Sequence, residues 1–471
     1  IIVIEDLHWA DDAVIEFLDH LMEWAAGSPI LLVATARPEL FTDRPTWGAG
    51  RRDAVTSTLA PLSSDEAASL MVALTGRPAM AADLQQTLLE RSGGNPLYVT
   101  EYVRLAEEEG WFTTAAHGEE LPLPDSIQAI ISARVDLLSP EDKTLLQTAA
   151  VVGRVFWAGA LSFADAGSPD DVREGLRRLA RRELVRPVRR SSMQGQEEYA
   201  FNHILIRDVA YGRLTRDERA RLHEATARWL EAVSGDRAAD VAELLAHHLA
   251  TAFELAPFED PDRRRRIYRF LLLAAERAAA FDAVRARDHA KKAEAFATND
   301  TERGRALIEH GKFMLHATSE AEEAFTQAIA FFAGSGDREG EAEATMHLAR
   351  LEWYQGNAER VDALDARALE LVAELPPSPM VARVTISVAG KRQLRGDEEG
   401  ALELVERGIA IAREFGDTEV YARGLVIRGS ALTQMGVPEA IADVEEALRI
   451  ELDRGNAMFA TRTYNLSLIH I

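Results

Sequence analysis

The chain of 471 residues carries 53 basic and 77 acidic residues, a formal net charge of −24, 47% hydrophobic residues and no cysteine. At roughly 100–200 residues per domain, this length excludes a single core and predicts about three or four domains. The missing cysteine excludes disulfides, thiolate metal sites and a cysteine nucleophile, and the acidic balance argues against non-specific binding of nucleic acid or membrane by the surface as a whole. The longest apolar run, Phe270 to Phe281, is broken by Glu276 and Arg277 and falls short of the roughly 18 residues of a membrane helix, so a cytoplasmic protein is expected.

Residue 1 is Ile rather than Met, and the chain opens inside an apolar run, so it reads as a fragment. Ile1 to Ile4 predicts a buried parallel strand with Glu5-Asp6 at its carboxyl end. Next comes His8-Trp9-Ala10-Asp11-Asp12, with Asp11 or Asp12 as N-cap of a helix whose apolar positions are Val14, Ile15, Phe17, Leu18, Leu21 and Met22. Gly27-Ser28-Pro29 breaks this helix, and Ile30 to Ala34 predicts a second buried strand leading to Arg37. Strand, helix, strand at this spacing is a βαβ unit. Carboxylates at the carboxyl end of a buried strand are what a phosphate-binding sheet needs to hold Mg²⁺, because ligands sit outside that edge.

The run Ile-Val-Ile-Glu-Asp-Leu-His-Trp-Ala-Asp-Asp at 2–12 resembles the Walker B segment of the signal-transduction ATPases with numerous domains (STAND), especially those fused to bacterial nucleotide cyclases and to LuxR-type regulators. The resemblance implies ATP or ADP with Mg²⁺ as cofactors. It places Glu5 on the metal side with Asp6 as the residue that polarises water, and makes Arg37 the sensor of the γ-phosphate. Glu in place of Asp at the metal-side position departs mildly from the general pattern. A phosphate loop requires Gly-x4-Gly-Lys-[Ser/Thr], and none of Lys143, Lys291, Lys292, Lys312 and Lys391 satisfies it. In STAND proteins that loop precedes the Walker B strand, so this chain is expected to carry half an ATP site and to be inactive alone.

Further along, Val55 to Leu62 predicts another strand, and Ser63-Ser64-Asp65-Glu66 starts a helical segment. Gly93-Gly94-Asn95-Pro96 then enters a helix with proline near its start. It resembles the STAND Gly-x-Pro element, which implies that Gly94 and Pro96 contact the adenine.

From residue 122 to 233, helices are expected at about Asp125 to Leu137, Pro140 to Val151, Trp157 to Ala164 and Asp170 to Glu183. Strands Leu184 to Val188 and Glu198 to Phe201 flank a polar stretch. This order resembles a winged helix. Arg173, Arg177, Arg178, Arg181, Arg182, Arg186, Arg189 and Arg190 cluster on its last helix and wing. Such a patch can read DNA; docking on an acidic surface of the same chain or a partner is the preferred reading, since STAND winged helices serve as intramolecular clamps. After the wing, His203 resembles the histidine that reaches the β-phosphate of ADP in closed STAND switches. A cap of the next helix or a place in the core is the alternative.

In the second half, turn signals recur at Gly336-Asp337, Gly356-Asn357, Gly396-Asp397, Gly416-Asp417, Gly436 and Gly455-Asn456, about 20 or about 40 residues apart. This predicts one helix per short interval and one helical pair per long one, a solenoid resembling tetratricopeptide repeats with longer helices. Residues 240 to 332 continue it less regularly. His247-His248 could be a metal site and Arg263 to Arg266 a nucleic-acid patch, but solvated helix faces are the expectation for both. Leu466 to Ile471 resembles the translation of a transposon-end adapter used in DNA library preparation and is expected not to be native.

The fold class expected is mainly α: the C-terminal part of an α/β P-loop core (1–62), a helical lid (63–120), a winged-helix-like domain (121–233), a solenoid of TPR-like helix pairs (234–465) and a non-native tail (466–471). The function expected is part of a bacterial STAND signalling switch. A protein partner or small ligand is sensed on the solenoid, self-association follows ATP binding, and the effector is absent. The alternatives are a LuxR-type transcriptional regulator whose DNA-binding domain is truncated and a non-catalytic TPR-like scaffold.

Overall fold

A computed structural model of the protein describes residues 1–25, 27–45, 47–48, 54–76, 82–111, 124, 126–279, 282–313, 318–455, 459–461 and 463–464. Part of the expected lid (112–120), the turn residue Asn456 and the adapter-like tail lie outside the described residues. The described residues are mainly helical, in two units, 1–130 and 131–471.

In the first unit β1 (Ile2–Ile4) pairs in parallel with β2 (Leu32–Ala34), Val3 opposite Val33, and α1 (Asp12–Trp24) is the crossover between them. Asp11 is the N-cap, its side chain accepting from the backbone N–H of Val14. Ile15 and Leu18 of α1 bury against Leu7 and against Leu40 of α2 (Glu39–Asp43). The strands differ from expectation in burial. Val3 is 61% exposed, and Ile2 and Val33 are also open, because this two-stranded sheet has packing on one face only among the described residues. The expected strand at 55–62 is also absent; Val55 and Leu59 are exposed and unpaired in a ladder. Here β-propensity found no partner strand, and propensity alone forms no sheet. Beyond it, Ser63 and Glu66 form a capping box at the start of α3 (Ser64–Thr75), followed by α4 (Ala82–Ser92) and α5 (Pro96–Glu108), which buries Val99, Val103 and Ala106.

Helix α6 (Ile127–Asp136) runs across the 130/131 division, and the second unit continues with α7 (Pro140–Val152), then β3 (Val155–Trp157), α8 (Ala158–Phe163), α9 (Pro169–Arg181), β4 (Val185–Pro187) and β5 (Glu198–Phe201). The strands form an antiparallel sheet in the order β3-β5-β4, with Phe156 packed against Tyr199 and Phe201. Glu198, 8% exposed, organises the hairpin. Its carboxylate accepts from the Trp157 indole N–H (3.1 Å), the backbone N–H and hydroxyl of Ser192 (2.6 Å each) and the Ser191 hydroxyl (3.2 Å). Burial by itself would raise the Glu198 pKa, but these donors outweigh it and hold the group below its ordinary value. Trp157 in turn lies 5.6 Å, ring to ring, from Trp229.

Next come α10 (Ile204–Gly212), α11 (Arg216–Ser234) and α12 (Ala242–Leu255), and then the regular array: α13 (Pro261–Ala278), α14 (Ala283–Phe296), α15 (Asp300–Lys312), α16 (Thr318–Ser335), α17 (Arg338–Gln355), α18 (Ala358–Ala373), α19 (Pro379–Leu394), α20 (Glu398–Glu414), α21 (Thr418–Gln434) and α22 (Ile441–Asp453). First helices of successive pairs start at 261, 300, 338, 379 and 418, a repeat of 38 to 41 residues, as the turn spacing predicts. The Gly-Asp turns act twice. Gly336 and Gly416 take left-handed φ of 75° and 69°, which a residue with a Cβ resists, and so end one helix. Asp337 and Asp417 then cap the next, accepting from the backbone N–H of Gly340 and Val420. Helix α11, placed by the sequence in the preceding domain, packs on α12 as the first pair of the series.

Close approach between pairs depends on small residues. Phe332 is fully buried between Gly304 and Gly340, and a Cβ at Gly340 would lie 2.4 Å from its ring. Gly340→Ala is therefore expected to cost about 1–3 kcal/mol by overpacking, read by chemical denaturation. Glu198→Ala strands a buried indole N–H and a backbone N–H and is expected to cost about 2–3 kcal/mol at neutral pH. Because the folded-state pKa of Glu198 is depressed, its contribution is complete above the ordinary carboxylate range and lost as pH falls through the folded value, so wild type and variant should converge in acid.

Candidate functional site

The carboxyl ends of β1 and β2 are laced together by one residue. Thr35 donates its backbone N–H to the Ile4 carbonyl (2.9 Å), accepts from the Leu7 N–H at its carbonyl (2.8 Å) and from the Asp6 N–H at its hydroxyl (3.2 Å). Asp6 is held at φ 57°, ψ 40°, a left-handed conformation that few residues other than glycine adopt and that costs on the order of 1 kcal/mol or more. The turn throws Glu5 and Asp6 into solvent and starts the short helical turn Leu7–Trp9. From that turn His8 accepts at Nδ1 from the backbone N–H of Arg37 (3.4 Å), while its Nε2 is buried with no hydrogen-bond partner among the described residues. Glu5, Asp6 and Arg37 are thus brought to one edge, all three exposed. Two exposed carboxylates are hard oxygen donors suited to Mg²⁺. The first unit contains no lysine, so its residues fit the metal side of a nucleotide site and not the phosphate side.

Gly94 and Pro96 stand at the start of α5. Asn95 is the N-cap, accepting from Leu97 N–H, and the exposed Pro96 occupies the first helical position. Gly94, at φ 75°, accepts at its carbonyl from Leu62 N–H (2.8 Å), and a Cβ there would meet the Leu62 carbonyl at 2.4 Å. Only glycine permits that contact, which pins the exposed 54–62 segment to the helix.

His203 belongs to the second unit and caps α10, its Nδ1 accepting from Leu205 N–H (3.2 Å). The cap uses one ring nitrogen and leaves Nε2 for another partner. The arginine patch is largely paired: Arg173 with Asp170, Arg177 and Arg181 with Glu174, and Arg178 through two nitrogens with the buried Asp142 of α7. Arg186, Arg189 and Arg190 are exposed.

Buried polar and charged residues that belong to no motif line the first helices of the pairs. On α17, Glu341, Glu343, Thr345 and His347 are all buried. His347 stacks on Phe325 at 5.6 Å, and burial, followed by the charges of Lys312, Arg350, Arg383 and Arg423, keeps it neutral, well below its ordinary pKa. Burial also lowers Arg350, whose Nε has no hydrogen-bond partner among the described residues. Arg350 on α17, Arg383 on α19 and Arg423 on α21 come from three successive pairs. Arg263 to Arg266 are ion-paired or bonded to carbonyl groups, as in Arg266 with Glu224 and Glu231, and form no free basic patch. His247-His248 departs from the expected solvated face, since His248 is buried.

No family model matches the chain. It is 27% identical over 237 residues to the uncharacterized protein R02095 of Rhizobium meliloti (strain 1021), matching 47% of this chain and 21% of the relative, so the chain spans about a fifth of that relative's length. Among solved structures it is similar to a STAND protein with a tetratricopeptide repeat sensor from Pyrococcus horikoshii, with 14% identity, 99% of this chain, 71% of that chain and a TM-score of 0.47. It is also similar to a Rap protein complexed with competence and sporulation factor (16% identity, 53% and 75%, TM-score 0.38) and to yeast Tom70 (14%, 87% and 88%, TM-score 0.32).

With two exposed carboxylates at the strand edge and no lysine in the first unit, the 471-residue chain is expected to bind Mg-ATP no tighter than about millimolar. Isothermal titration checks this, and micromolar binding would show a phosphate cradle built without lysine.

Proposed function

We propose that the chain is part of an ATP-dependent STAND-type signalling switch whose helical repeats form the sensor. The observation that carries this reading is the union, in one chain, of an acid-bearing edge on a parallel strand pair with an array of helix pairs repeating every 38 to 41 residues. In the whole protein Glu5 and Asp6 would hold Mg²⁺, Arg37 would face the terminal phosphate, and Gly94 and Pro96 would lie against the base. Bound nucleotide supplies the switch with two states of different phosphate charge. Within this chain Thr35 fixes the acidic turn, and the left-handed Asp6 keeps both carboxylates in solvent.

The segment from α6 to β5, within residues 121–233, is read as a winged helix acting as a clamp. Pairing of Arg173, Arg177, Arg178 and Arg181 within the chain supports docking over DNA contact. The sensor is read as binding a protein partner or small ligand on the helical pairs, which repeat every 38 to 41 residues. Binding there would favour opening and self-association. The output, a nucleotide cyclase or a transcriptional domain, would come from outside these residues.

His203 offers a test that separates its two roles. Asparagine is a good N-cap and lacks the imidazole, so His203→Asn should keep the melting temperature within about 2 °C, a cap exchange being worth a few tenths of a kcal/mol. In the full-length protein it should raise basal signalling. Unchanged basal output with unchanged stability would leave His203 a cap and remove it from the phosphate site.

A further inference from the structure

Three histidines that the switch does not use converge where the sheet-bearing segment meets the first helical pair. His223 on α11 and His248 on α12 are 1% and 2% exposed, and His247 beside them is open to solvent. One ring nitrogen from each lies within 4.8 Å of the other two.

The hydrogen bonds around the two buried rings are directional. Tyr211 of α10 reaches His223 Nε2 (3.1 Å), and the Val152 backbone at the end of α7 lies beside the His248 ring and favours its protonated form. Their Nδ1 atoms face each other at 2.8 Å and share one proton. The far nitrogen of His223 is therefore anchored by an oxygen atom, as the far nitrogens of metal-ligating histidines are, while the Nδ1 atoms of His223 and His248 converge on one point. A tetrahedral metal with M–N of roughly 2.0–2.1 Å needs those nitrogens about 3.3 Å apart, so the rings must part by about half an ångström as the metal replaces the shared proton. His247 adds a third nitrogen from the solvent side and so provides the way in.

Burial, with help from the Arg207 charge, keeps all three rings neutral, the form that ligates; His223 is pushed down to about 3. Arg207 and Arg219 stack on Tyr211 at 4.8 and 4.5 Å, each tied by its own bonds to backbone carbonyls. Their positive charge opposes any cation, and it excludes hard ions such as Mg²⁺ or Ca²⁺ that gain little from imidazole. Metals that bind imidazole strongly, Zn²⁺ and its neighbours Co²⁺, Ni²⁺ and Cu²⁺, remain.

We propose that His223, His247 and His248 form a three-histidine transition-metal site of the zinc class, with a fourth position open to water. Bound metal would fasten α11 and α12 to α10 and the end of α7. The site stands independently of the STAND reading.

The test uses the 471-residue chain freed of metal by chelator. Co²⁺ is the spectroscopic probe and Zn²⁺ the calorimetric one. One equivalent of Co²⁺ should give the intense visible bands of a tetrahedral or five-coordinate ion, and Zn²⁺ should displace it and raise the melting temperature. His247→Ala changes only an exposed side chain; it should leave the metal-free melting temperature unchanged and weaken Zn²⁺ at least about tenfold. His20→Ala, at an exposed histidine far along the sequence, should change neither. A Co²⁺ spectrum that stays that of the aqueous ion would overturn the proposal, and so would Zn²⁺ binding of equal strength in wild type and His247→Ala.

Discussion

Burial on every side is the constraint that shapes the second unit. On α17 every residue from Gly340 to Ala349 is buried, so the buried surface runs around the whole helix. No two-helix contact can cover such a surface, so α17 is stable only between its own partner and the pairs before and after it. Close packing then selects small residues where helices cross, and Phe332 between Gly304 and Gly340 is the clearest case. It also carries charged groups inward. Glu341 is met by Arg367 (2.8 Å), Asp365 by Lys391 (2.5 Å) and Glu343 by Lys312 at 3.9 Å. Ions taken out of water need such partners, and two of these three come from the neighbouring pair, so packing and charge compensation share the same neighbour dependence.

The first unit obeys the opposite condition. Among the described residues its parallel pair has one packed face, and its order at the acidic edge comes from polar contacts rather than burial. Thr35 supplies three of them, and His8 with Arg37 supplies a fourth. That edge can hold carboxylates in water without the desolvation that burial would impose.

Legibility followed locality. The Gly-Asp turns were readable because a left-handed glycine and an aspartate cap act within four residues, and the 38 to 41 residue repeat follows from them. Glu5, Asp6 and Arg37 were readable as one edge because the ends of two parallel strands adjoin by construction. The strand expected at 55–62 was not, since the β-propensity of a segment says nothing about whether a partner strand exists. Nor was the histidine cluster: His248 finds His223 25 positions earlier across two helices, and a His-His pair in sequence carries no sign of that. The role of Glu198 was hidden for the same reason, because an acid at a strand start reads as solvated until the indole 41 positions earlier is placed beside it.

The Glu198 knot has an optical corollary. One carboxylate fixes the Trp157 indole, and that indole lies against Trp229 on the first helix of the series. Any movement of the hairpin relative to α11 alters the spacing and tilt of two coupled chromophores. The protein therefore contains an intrinsic gauge of that joint, readable in its near-ultraviolet circular dichroism and emission without an added label.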